Sequence, residues 1–189
     1  MTHQIHQTEG LIMDSNEYGE AGKILQLLTP HFGIITLFAV GVREQKSKMR
    51  SSLNIGTQAN FDFVEGKEVR RLTGVFEKKV YTKIFESVEK RNVYLHIVSF
   101  LKRVVLGEVE HADMFDSIIL GLDYLENIVD KSFDLEIIEI IIILNILSHL
   151  GYWEKDTYTN FSERNFKYIE SQKKEIVAQI NSSIKITNL

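Results

Sequence analysis

Near Lys79 the spacing of apolar residues changes, which points to a β unit followed by a helical one. Before that point Gln58–Val64 alternates. Ala59, Phe61 and Phe63 fall on one side and Asn60 and Asp62 on the other, as in a strand with one buried face. After it, Phe115, Ile118, Ile119, Leu122, Leu125 and Ile128 form one stripe at helical spacing. A chain of 189 residues, 44% hydrophobic and 25% charged, can bury a full core in one large domain or two small ones. The change of period sets the expected division at 1–79 and 80–189.

Within the first part, Thr8–Ser15 holds short apolar segments, with Gly10 marking a bulge, and Asn16–Gly22 has turn chemistry. Lys23–Thr29 fits strand or helix on periodicity alone. Thr29-Pro-His-Phe-Gly33 holds the only proline and then a glycine, which suits a tight reversal into Ile34–Val40. Glu65-Gly66-Lys67 reads as a hairpin connection from Gln58–Val64 to Glu68–Phe76. Arg43–Ser52 is a polar, basic linker between the third and fourth strands. Five strands with one excursion in about 75 residues suggest a small Greek-key barrel of the OB type. The expected class is therefore α+β, an OB-fold barrel followed by an all-helical domain.

Helical spacing runs through Val80–Leu106 and Phe115–Ile128. Ser132 is offered as the cap of an apolar helix ending at Leu150, with Gly151 as its stop. Asn160 or Ser162 can open a last helix toward Ile184. The run Leu135–Leu150 has sixteen residues and carries Glu136, Glu139, Asn145 and His149. A membrane span needs about 20 predominantly apolar residues. The run reads instead as the buried centre of a bundle.

No catalytic constellation is visible, and the expectation is a protein that is not an enzyme. Cysteine is absent, which removes disulfides, thiolate zinc sites, iron–sulfur clusters and cysteine nucleophiles, and fits a reducing compartment. MTHQIHQTEG shows no secretory pattern. Gly19-Glu-Ala-Gly-Lys23 lacks the spacing of a phosphate loop, and the six histidines include no HExxH. His3 and His6 lie close together but at the terminus. His149 reads as a core or interface histidine, and Glu136 and Glu139 as a solvated or interface edge. No metal or cofactor is expected.

What remains is a binding surface. The net charge is −4, yet ten basic residues face nine acids through Lys79, against twelve and seventeen beyond it. Arg43, Lys46, Lys48 and Arg50 place four cations in eight residues of the inter-strand linker. The linker is expected to be a flexible finger, whose mobile cations on a rigid barrel release counterions as they dock on phosphates. Arg70 and Arg71 follow on the fifth strand, pointing to opposite faces, and Lys67 precedes them. Tyr18, Phe38, Phe61 and Phe63 are the aromatic candidates for base stacking, with Phe61 and Phe63 better read as core.

In this order and register, the residues resemble the opening of the bacterial RecO family. The stretch from Thr8 through Tyr18-Gly-Glu-Ala21 to Leu27-Leu-Thr29 is similar to the family's first strand, turn and second strand. Gly41-Val-Arg43 and Lys46-Ser-Lys48-Met-Arg50 look like its basic loop, and Leu147-Ser-His-Leu-Gly-Tyr152 like the end of its central helix. The resemblance covers roughly residues 8–155. It implies a recombination mediator that binds single- and double-stranded DNA and anneals complementary strands. With RecR it would help load recombinase on strands coated by single-stranded-DNA-binding protein (SSB). It assigns DNA binding to Arg43, Lys46, Lys48 and Arg50; charge and position add Lys67, Arg70 and Arg71. Lys102 and Arg103 are candidates for the acidic SSB tail. The implied location is the cytoplasm, at the nucleoid. Many members carry a four-cysteine zinc module after the Leu-Gly-Tyr phrase, where this chain has Trp153-Glu-Lys-Asp and no cysteine. The alternative is a protein-interaction adaptor on the same scaffold with little DNA affinity, motivated by the acidic helical half.

Overall fold

A computed structural model describes residues 4–128, 135–154 and 160–186. Ser132 and His3 lie outside these residues. The chain divides into two compact units: Met1–Val80 with Leu106–Ala112, and Tyr81–Val105 with Asp113–Leu189.

In the first unit, strands β1 (Ile5–Tyr18), β2 (Gly22–Thr29), β3 (Gly33–Ala39), β4 (Thr57–Glu65) and β5 (Arg70–Val80) close a barrel in the order β1-β2-β3-β5-β4. This is the expected OB architecture. All pairings are antiparallel except β3 with β5, which meet in parallel over Leu37↔Arg70 and Phe38↔Arg71. β1 closes the barrel because its first half pairs with β4 and its second with β2. Its irregularity falls between Ile12 and Asp14, not at Gly10, which stays in register with Ala59. A Cβ on Gly10 would lie 3.1 Å from Leu27 and 3.4 Å from Phe61, so its smallness serves packing across the barrel. The ambiguous segment at Lys23–Thr29 is a strand, with Leu25 and Leu27 in the core beside Ile12, Leu37, Phe61 and Phe63. At the β2–β3 reversal the buried Thr29 hydroxyl accepts from the Phe32 N–H and donates to the Gly33 carbonyl.

The second unit contains α1 (Thr82–Glu86), α2 (Val88–Val104), α3 (Ala112–Asn127), α4 (Leu135–His149) and α5 (Glu163–Ile186). The single helix expected over Val80–Leu106 is two. Ser87 is extended at the break, and its hydroxyl accepts from the Lys90 N–H as the N-cap of α2. The Glu126 carboxylate accepts from the Lys83 and Ile84 N–H groups at the start of α1. α4 is apolar on nearly every side, with Ile137, Ile138, Ile141, Leu144 and Leu147 buried, and packs with α2 and α5. Tyr152 and Gly151 N–H groups bond to the Leu147 and Ser148 carbonyls around a left-handed Gly151, the expected helix stop. His149 is exposed in the last turn of α4, so of its two expected places, core or interface, the core is excluded. No helix among the described residues is long and apolar enough to cross a membrane.

Glu136 and Glu139 take different environments on α4. Glu136 is ion-paired with Lys173 of α5. Glu139 is mostly buried, 3.3 Å from the exposed His96 ring of α2. Burial pushes the Glu139 carboxyl above its ordinary value of 4.5, with His96 opposing. A carboxyl raised in the folded state favours folding at pH below its unfolded value, and that contribution is lost as pH rises through the folded value. Glu139→Gln is therefore expected to flatten the fall in stability as pH rises above the ordinary carboxyl value of 4.5. Urea midpoints across that range check it. A variant midpoint falling as steeply as the wild type's would contradict it.

Candidate nucleic-acid interface

The basic linker is folded onto the barrel. Val42 and Leu53, which flank the cations, are fully buried in the barrel core and Met49 packs against it. Backbone bonds run from the Arg43 N–H to the Ala21 carbonyl and from the Gly56 N–H to the Ile12 carbonyl. The Ser15 hydroxyl and the Lys23 ammonium both donate to the Leu53 carbonyl. Burial is the chief influence holding the Lys23 amine below its ordinary value. A 3-10 turn at Arg50–Ser52 completes the segment, and Lys78 of β5 bonds to the Ser52 hydroxyl.

This anchoring sorts the four expected cations. Arg43 is ion-paired to Glu17 at 2.9 Å and donates to the Gly19 carbonyl at 3.3 Å. Lys46, Lys48 and Arg50 are exposed, and among the described residues none of the three forms an ion pair. Acids nonetheless interleave with the cations. Glu17, Glu20 and Glu44 line a cavity of about 530 Å³ with Lys23, Arg43 and Arg50.

Arg70 and Arg71 diverge as strand alternation requires. Arg70 lies on the side of buried Leu72, its guanidinium 5.9 Å from the Phe63 ring centroid and bonded to Glu65 and Glu108. Arg71 is exposed and in register with Phe38 of β3. Phe38 meets Tyr18 edge to face with centroids 5.3 Å apart, and Tyr18 is exposed. Phe61 and Phe63 are fully buried, so the outer aromatic pair is Tyr18 and Phe38. Lys67 is exposed in the β4–β5 connection and lines a groove of about 430 Å³ with Phe38 and Arg70. Lys102 and Arg103 are exposed in the last turn of α2, where positive charge complements the helix dipole. Among the described residues no three His, Asp or Glu side chains gather as a metal site.

Residues 1–77 match the family model described as "Recombination protein O N terminal". The barrel is thus similar in sequence to the N-terminal part of RecO proteins. The likeness extends past the barrel. A DNA repair protein RecO from Dehalococcoides mccartyi is 27% identical over 146 residues, covering 77% of this chain and 56% of that protein. Those from Desulfitobacterium hafniense and Exiguobacterium sibiricum are each 23% identical over 78% of this chain, covering 52% and 57% of their own lengths. The chain thus spans about half the length of these RecO relatives.

Glu108 escaped the sequence reading of this RecO-type barrel. It lies 38 positions from Arg70, on a segment whose composition marks only a loop, so no local pattern reveals the pair. The Phe38–Arg71 pairing was equally hidden, because β3 and β5 are brought together by barrel closure.

Proposed function

We propose that this chain is a non-catalytic DNA-binding mediator of recombination and repair, as its relatives named DNA repair protein RecO suggest. It would bind single- and double-stranded DNA, anneal complementary strands, and help load recombinase on SSB-coated strands. The functional division follows residues 1–79 for nucleic acid and 80–189 for protein contacts. One observation carries the proposal: Lys46, Lys48 and Arg50 are exposed and, among the described residues, without ion pairs, on a linker held fast by buried Val42 and Leu53. Cations fixed on a rigid support lose little freedom when they meet phosphates. Arg71 beside Phe38 and Tyr18 offers a second contact, where bases can stack. Lys67 extends it, while Arg43 and Arg70 begin from existing ion pairs. A RecR-like protein and the acidic SSB tail are the proposed protein partners, the tail at Lys102 and Arg103. The site of action is the cytoplasmic nucleoid.

The mechanism is electrostatic. Each strand's phosphates are neutralised in turn, which lowers the repulsion that slows pairing and leaves base edges free. With about four cations engaged on single strands, log affinity should fall with log salt at a slope near −3. Anisotropy titrations at several salt concentrations measure it. A flat response with retention of a RecR-like protein would instead favour the adaptor, a second reading supported by the ion pairs already closed on Arg43 and Arg70.

A further inference from the structure

Arg70 is the most heavily engaged cation of the proposed interface. Its Nη1 and Nη2 donate to the two Glu108 carboxylate oxygens, each at 2.6 Å. Its Nε and Nη2 donate to Glu65 Oε1 at 3.1 and 3.0 Å. Two parallel bonds from a guanidinium to two oxygens of one acid are also the geometry in which Arg grips a phosphodiester. The Arg70 side chain is only 20% exposed, but Glu108 is half exposed, so solvent reaches the pair from the Glu108 side.

Glu108 reaches this position from the strap Leu106–Ala112, which returns to the barrel after α2. The strap is fixed independently of Arg70. The His111 N–H donates to the Pro30 carbonyl at 2.8 Å, and Glu110 meets the His31 ring at 3.0 Å. A rotation of the Glu108 side chain alone can therefore vacate the guanidinium. The vacated place opens into the 430 Å³ groove that Phe38 and Lys67 also line. A strand stacking on Phe38 brings its phosphates to that groove.

We propose that the Arg70 fork is a phosphodiester site, occupied in the free protein by the Glu108 carboxylate as a built-in phosphate mimic that a bound strand displaces. This rests on the DNA-binding function proposed above. The exchange swaps one anion for another on the same two donors, while Glu65 keeps its bonds to Arg70 throughout. Arg70 holds the Glu108 carboxyl below its ordinary value, so the mimic stays charged at neutral pH. Glu108 then sets a threshold, because any anion that engages Arg70 must first outcompete it.

The test is anisotropy with labelled oligothymidylate at several salt concentrations. Glu108→Gln is expected to bind about fivefold tighter near 0.1 M salt, with the slope little changed because the same phosphate is engaged in both forms. The gain should vanish when Arg70→Gln is added. Glu110→Gln removes the same charge from the same strap and should give little of it. The proposal is overturned if Glu108→Gln binds no tighter than wild type, if Glu110→Gln matches it, or if the gain survives in the Arg70→Gln background. Absence of salt-dependent binding by every form would instead bring down the DNA-binding function and this site with it. Should Glu108→Gln disturb the strap, the resonances of the Arg70 Nη–H groups, which bond Glu108 in the wild type, read the same exchange. They should shift as oligothymidylate is added, and unmoved resonances at saturation refute the site.

Discussion

Replacing Lys46, Lys48 and Arg50 together by Ala is expected to weaken single-strand binding about a hundredfold at 0.1 M salt. Each cation that meets a phosphate releases about 0.7 of a counterion, worth about fivefold at that salt, and three act together. The slope of log affinity against log salt should fall by about 2. Oligonucleotides of unrelated sequence should lose affinity alike, because phosphate contacts position a strand without reading it. The fold should be untouched, since the linker is held by Val42, Leu53 and backbone bonds rather than by these exposed side chains. Anisotropy measures the first effect and urea unfolding the second. Unchanged affinity in a folded triple variant would remove the linker from the interface.

Gly33→Ala should destabilise the barrel unit by about 3 kcal/mol, combining roughly 1–2 kcal/mol for a left-handed backbone with a comparable cost of overpacking. Gly33 has φ +61° at the β2–β3 reversal, and a Cβ there would stand 2.7 Å from the Gly107 carbonyl oxygen and 3.2 Å from Val109 backbone atoms. The obstruction is backbone, so the strap itself must move. Gly107→Ala is the matched comparison, because Gly107 has φ +76° with nothing within 4 Å of its Cβ position. It should cost about 1 kcal/mol. Urea midpoints at unchanged slope give both values, and equal losses would show that the strap does not press on the turn.

The barrel was legible because its strands alternate. Ala59, Phe61 and Phe63 face the core as their spacing demands, and Thr29-Pro-His-Phe-Gly33 makes its turn. Lys23–Thr29 was ambiguous because Leu27 and Leu28 are both buried, which blurs a period of two. The break at Ser87 was missed because apolar spacing continues across it, although a serine before a helical run is a capping signal. Whether His149 joins the core could not be read from its apolar neighbours, because its position in the last turn turns it outward. The linker's cations were visible as charge, but not the packing of Val42, Met49 and Leu53 into the barrel core around them. Glu17, which pairs with Arg43, and Glu108, one of the two acids on Arg70, lie 26 and 38 positions away, beyond the reach of any local pattern.

The character of α4 has a consequence for how the chain is made. A helix greasy on nearly every flank has no side to offer water, and one of its neighbours, α5, is synthesised after it. Until Glu163–Ile186 leaves the ribosome, the Ile-rich segment lacks part of its cover. A transcript cut short before Glu163 yields a sticky polypeptide, a ready client for chaperones and proteases, even though its barrel is complete.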